Sequence, residues 1–234
     1  MPKRAVREHR VRRVASASIE SREKGSAMKL YITPGSAYAR MARVVVHEKD
    51  LTRRVEVVVA RTRLPDSPYY AINPSGRVPY LVRDDGVGME ESAVICAYLD
   101  AVDASPRLAI PLAADPWEAR RLEALARSML DGLAVWTREI LRPKAEQSPA
   151  VIGHEGARSA RLVDHWKQLA EHPLMTGSLQ MLHITLACAL GLEERIPEFR
   201  WRAGHPRLDR WYAAISARPS FVETRPPAAV QAAR

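Results

Sequence analysis

Three places in this chain hold residues whose types and spacing suit chemistry. The segment Asn73-Pro74-Ser75-Gly76-Arg77-Val78-Pro79 ends a loop, and Glu90-Glu91-Ser92 begins eleven residues after Pro79. A proline just before a strand can hold a cis amide, since the X-Pro form costs only ~0.5–1 kcal/mol. A cis Val78-Pro79 bond turns the N–H and C=O of Val78 outward, where a peptide-like ligand can pair with them. Helix N-termini carry unpaired N–H groups and partial positive charge, so a helix opening at Glu91-Ser92 suits an incoming carboxylate. One site can then read a peptide backbone and a free carboxylate side by side. The third place is Ser36, a hydroxyl at the start of a predicted helix.

The elements that must position these residues follow from the pattern of apolar positions. Met28 to Ile32 reads as a short strand, broken by Thr33-Pro34-Gly35. Ser36 can cap a helix from Ala37 to about Lys49, with Val44 and Val45 facing a core. Arg54 to Ala60 is rich in β-branched residues and reads as a buried strand. Arg61 to Ile72 is irregular, with Pro65 and Pro68. Tyr80 to Val82 and Val87 to Met89 are short apolar runs around an Asp84-Asp85-Gly86 turn, and a helix runs from Glu91-Ser92 through about Asp100. This order gives an α/β thioredoxin-like domain over residues 28–103. Residues 104–116 hold three prolines and read as a linker. No strand pattern follows. Helices are expected from Trp117 to Arg142, His154 to Glu171, Gln180 to Leu192 and Pro206 to Ala217, making an all-α bundle over 117–227 with a tail at 228–234. Gln180 to Leu192 is apolar nearly all round and should be its central buried helix.

The run NPSGRVPYLV…MEESAVICAYLD resembles the glutathione-binding half of the cytosolic glutathione S-transferases, and the likeness extends over about residues 28–227. The family architecture is a thioredoxin-like domain followed by an all-helical one. The resemblance implies that Val78, before the cis-proline Pro79, pairs with the cysteinyl backbone of glutathione. It implies that Glu91 and Ser92 hold the γ-glutamyl end, and that Arg77 lies near the glycyl carboxylate; a solvated loop charge is an equal reading of Arg77. It also implies a cytoplasmic homodimer that attacks a small hydrophobic electrophile. Ser36-Ala37-Tyr38 is similar to the Ser-Pro-aromatic turn of serine-type members, with Ala37 in place of the proline. Another, bacterial class uses a cysteine at the position held here by Ala37.

Activating glutathione requires its thiol, with a pKa somewhat above 8, to lose a proton at neutral pH. A hydroxyl donating to the thiolate nets ~1.5–3 kcal/mol, which lowers the pKa by about one to two units. A helix N-terminus aimed at the same sulfur adds up to ~2 kcal/mol. Ser36 is the candidate for that hydroxyl, Thr33 is the alternative, and Tyr31 and Tyr38 are weaker ones. Ser36 acting only as a helix cap is an equal reading, because both roles use one oxygen. Glutathione-dependent reduction of disulfides or peroxides, dehalogenation, and a non-catalytic glutathione-binding or interaction module are rival functions on the same fold.

Composition sets the outer limits. With 47% hydrophobic and 27% charged residues the chain is of ordinary soluble globular character, and its apolar runs are too short for a membrane span. The net charge is +9, but residues 1–27 carry eight Lys/Arg against three Glu, a net +5 that leaves +4 for the rest. The positive charge is thus concentrated in a leader expected to be disordered. A nucleic-acid role resting on that leader ranks last, and the leader has no apolar core for a secretory signal. Cys96 and Cys188 fall in apolar helical patterns and read as buried hydrophobes. The seven histidines show no metal-binding spacing, so no metal is expected. Gln180 and His183 stand where many family members place Ser or Thr and then Asp as a capping box. Gln180 is a poor cap, and Ser178 is the expected substitute. Arg120, Arg121, Arg127, Arg138 and Arg142 read as a solvated face or a dimer contact.

Overall fold

The computed structural model describes residues 27–103, 107–108 and 115–227. The basic leader up to residue 26, most of the 104–116 linker and the 228–234 tail lie outside the described residues.

Strand β1 (Met28–Ile32) is the hub of a four-stranded sheet, with Met28, Leu30 and Ile32 all buried on one face. It pairs in parallel with β2 (Val55–Val59) and antiparallel with β3 (Tyr80–Val82), which pairs with β4 (Gly88–Glu90); the order is β2-β1-β3-β4. The register sets Leu30 beside Val57 and Leu81, so the apolar face is continuous across three strands. The expected burial of β2 is corrected. Only Val55 of this strand is buried, while Val57 and Val59 are 44% and 61% exposed. The strand has one hydrogen-bonded neighbour and an uncovered outer face, so its β-branched residues serve strand formation rather than packing.

Helix α1 (Ala37–Glu48) crosses between β1 and β2 and buries Met41, Val44, Val45 and Val46. It is tied to α2 (Ser92–Val102) by the Lys49 ammonium, which lies 3.1 Å from Asp100 and donates to the Asp103 carbonyl at 2.7 Å. Helices α3 (Pro116–Ile140), α4 (Pro149–Leu169), α5 (Pro173–Thr176), α6 (Met181–Leu190), α7 (Pro206–Ser216) and α8 (Pro219–Glu223) form the second half. Helix α4 starts five residues before the expected His154. Ser148 caps it by accepting from Val151 N–H, and Pro149 takes the first helical position, where a missing N–H costs nothing. All ten residues of α6 are buried, and α6 packs against both α3 and α1.

The cap of α6 differs from expectation. Gln180 is the N-cap, and its backbone N–H donates to His183 Nδ1 at 2.9 Å. The imidazole thus replaces a carboxylate as the reciprocal acceptor, while Gln180 Oε1 is left without a partner. The ring of His183 stacks against Trp211 at 5.9 Å between centroids.

The two halves meet on α1. Arg218 grips Glu48 through two bonds of 2.8 Å, Ser220 donates to the same carboxylate, and Arg40 donates to the Phe221 carbonyl at 3.0 Å. Ser36, at the start of α1, therefore stands at the junction of the sheet and the helical bundle.

Candidate active site

A cleft of about 900 Å³ opens at that junction. Thr33, Ser36, Arg77, Val78, Pro79, Glu91 and Ser92 all line it, so the fold brings every expected site residue onto one surface. The opposite wall comes from α3 and from the 3₁₀ turn after α6.

The Val78-Pro79 bond is cis. Val78 stands just outside the β3 ladder, which begins at Tyr80, and its own N–H and C=O have no backbone partner among the described residues. The loop before it is anchored at the Arg77 carbonyl, which accepts from Asn73 Nδ2 at 3.0 Å and from the Tyr69 hydroxyl at 2.6 Å. Gly76 is required there. Its φ is +65°, and a Cβ would come within 2.6 Å of the Tyr70 ring.

Glu91 has φ +73°, a conformation non-glycine residues seldom adopt and one that clusters at functional sites. Its carboxylate caps α2 by accepting from Ala93 N–H at 3.3 Å and from the Ser92 hydroxyl at 3.2 Å. Arg127 of α3 reaches across the cleft. Its Nη1 donates to Ser92 Oγ at 3.1 Å and lies 3.6 Å from Glu91, and its Nη2 has no hydrogen-bond partner. Sequence reasoning placed Arg127 and Arg138 on a solvated face; both line the cleft instead. The signal was present. Glu123, Arg127, Asp131, Ala134 and Arg138 recur at helical spacing, a second stripe beside the buried one of Leu122, Met129, Leu133 and Trp136. The other arginines of that run are engaged outside the cleft, Arg121 with Glu118, Arg142 with Glu146, and Arg120 over the Trp117 ring.

Ser36 Oγ accepts from Ala39 N–H at 3.2 Å, which makes the serine a helix cap. That bond uses a lone pair. The hydroxyl hydrogen has no acceptor among the described residues, so it can be donated into the cleft while the cap is kept. Thr33 lies on the same turn, with its carbonyl accepting from Ser36 N–H at 3.1 Å. Tyr38 donates to Asp131 at 2.6 Å, and burial together with that carboxylate pushes its phenol pKa well up. Tyr31 packs against Tyr69.

The cysteine thiols are both buried. Burial pushes Cys188 up to about 11 and Cys96 further, so neither offers a thiolate. Among the described residues no group of three or more His, Cys, Asp or Glu is placed to hold a metal ion. None of the described helices is long and apolar enough to cross a membrane.

A thioredoxin-like sheet with a cis-proline edge, followed by a helical bundle, defines the glutathione S-transferase architecture. Comparisons with known proteins agree. Residues 30–107 match the family model for the glutathione S-transferase N-terminal domain. The GST-like protein YibF of Escherichia coli (strain K12) is 30% identical over 207 residues, 86% of this chain and all of that one. A glutathione S-transferase of Methylobacillus flagellatus KT, solved with glutathione bound, is 33% identical with a TM-score of 0.77, over 86% of this chain and all of that one. A family member from Pseudomonas fluorescens Pf-5, also solved with glutathione, is 31% identical with the same TM-score and coverage. The chain belongs to the glutathione S-transferase family.

Proposed function

We propose that this protein is a glutathione transferase of the serine type. The observation that carries the reading is the gathering of Ser36, Val78 and the Glu91-Ser92 pair on one interdomain cleft. Glutathione bound in the Methylobacillus and Pseudomonas relatives supports the ligand. In this reading the free N–H and C=O of Val78 pair with the cysteinyl backbone. Glu91 meets the γ-glutamyl ammonium, while Ser92 and Arg127 meet its carboxylate, and Arg77 meets the glycyl carboxylate. The sulfur then lies near Ser36 and the N-terminus of α1.

The Ser36 hydroxyl donates its hydrogen to the sulfur and holds it as thiolate. That bond, with the helix terminus, lowers the thiol pKa by about one to two units or more, enough to make thiolate the main form at pH 7. The thiolate attacks an electrophilic carbon, a C–S bond forms, and the leaving group departs with its electrons. With both cysteines buried, routes that pass through a protein thiolate are disfavoured. A binding-only role is the second reading, favoured by the Ser36–Ala39 cap, which gives the serine a purpose without chemistry.

Titration with glutathione, followed by turnover assays on aryl halides, peroxides and disulfides, separates these readings. Glutathione binding with aryl-halide turnover is expected, and Glu91→Ala should weaken binding. Binding without any turnover favours the second reading, and no binding at all sinks both.

A further inference from the structure

The cleft holds more positive charge than glutathione can use. Its carboxylates are already engaged. Glu90 accepts from the Ser75 hydroxyl at 2.5 Å, Glu91 caps α2 beside Arg127, and Asp131 accepts from Tyr38. Among the described residues, the cleft arginines Arg63, Arg77 and Arg138 form no ion pair, and Arg195 donates only to the Gly35 carbonyl, at 2.7 Å. Glutathione brings two carboxylates and one ammonium. The reading above assigns those carboxylates to Arg77 and to Arg127 with Ser92.

Two of the remaining guanidiniums stand together. Arg63 comes from the β2–β3 connection with φ +62°, and Arg195 from the turn after α6, so the pair joins the two domains. Each feels the other's charge, and burial with that repulsion lowers the Arg195 pKa. Arg195 is fixed to Gly35, the residue before Ser36, which sets its charge beside the turn where the thiolate would form. Like charges held close without a counter-charge are unfavourable unless an anion comes between them. The wall beyond them, with Ala134, Val135, Leu141 and Leu192, is apolar.

We propose that Arg63 and Arg195 receive a carboxylate on the second substrate, so that the electrophile is a small acidic molecule with an apolar body rather than a neutral hydrophobic one. The proposal rests on the transferase reading and narrows it. A fitting reaction is attack of the thiolate on the chlorine-bearing ring carbon of 4-chloro-3-nitrobenzoate. A C–S bond forms, the C–Cl bond breaks, chloride leaves with the bonding pair, and the thiol proton passes to solvent.

The test compares S-(3-carboxypropyl)glutathione with S-butylglutathione by calorimetric titration, so that it needs no turnover. Glutathione itself is titrated alongside. The full chain should bind the acidic conjugate about tenfold more tightly, as a charge-assisted contact allows. Arg63→Gln, at a site with no contact to lose, and Arg195→Gln, checked for folding by thermal melting, should each remove most of that preference. Equal binding of the two conjugates by the unaltered protein overturns the proposal, as does a preference that survives both substitutions. An equal loss of glutathione affinity in the Arg63 variant also overturns it, since the pair would then hold the tripeptide's own carboxylate. If neither glutathione nor any conjugate binds, the transferase reading itself falls.

Discussion

At the scale of single residues, Ser36 and Arg127 teach opposite lessons. Ser36 was readable from its place before a helix, but cap and catalyst looked like exclusive roles. They are compatible, because the cap takes a lone pair from Oγ and thiolate stabilisation takes the hydrogen. Arg127 looked like one of five surface arginines and instead donates to Ser92 from across the cleft. Sequence order hides such a residue, since 35 positions separate it from its partner. Replacing Arg127 with Gln should raise the KM for glutathione about tenfold, because a hydrogen bond to a charged group nets ~1.5–3 kcal/mol. Steady-state kinetics with glutathione varied checks this, and the electrophile's KM should move little.

At the scale of elements, the strands and helices were legible wherever apolar residues recur at a fixed period. Helices α1, α3, α6 and α7 start and stop within two residues of expectation. Two features were not legible, for physical reasons. The burial of β2 depends on what covers its outer face, which composition cannot report. The start of α4 depends on Ser148-Pro149, a signal overlooked because the apolar stripe begins later. The α6 cap is a third case, in which His183 accepts through Nδ1 only while that nitrogen is unprotonated. Burial holds the His183 pKa below the ordinary 6.5, so the unfolded chain takes up the proton first. The stabilisation is complete above pH 6.5 and is lost as pH falls through the folded-state pKa. His183→Asn keeps an acceptor that does not titrate, so denaturant unfolding should show a flatter pH dependence between roughly pH 5 and 6.5. An unchanged slope there would remove His183 from the account.

At the scale of the whole molecule, the site exists only because two domains meet on α1. The thioredoxin-like half supplies Val78, Glu91, Ser92 and Ser36, and the helical half supplies Arg127, Asp131 and Arg195. Glu48, held by Arg218 and Ser220, is the polar clasp of that junction, and these contacts hold its carboxyl below the usual range despite burial. Its contribution is present above a pH near the unfolded value of 4.5 and is lost below it. Glu48→Gln should cost about 1 kcal/mol at neutral pH, the pair being partly open to solvent, and chemical denaturation measures it. The family also implies a homodimer, which light scattering would register as twice the chain's mass. The central claim is that Ser36 holds bound glutathione as thiolate. Ultraviolet titration of the bound thiol against pH tests it most directly. The account predicts an apparent pKa about one to two units below that of free glutathione, returning most of the way in Ser36→Ala. A bound thiol that titrates like the free one, or a lowered pKa that survives the substitution, would contradict it.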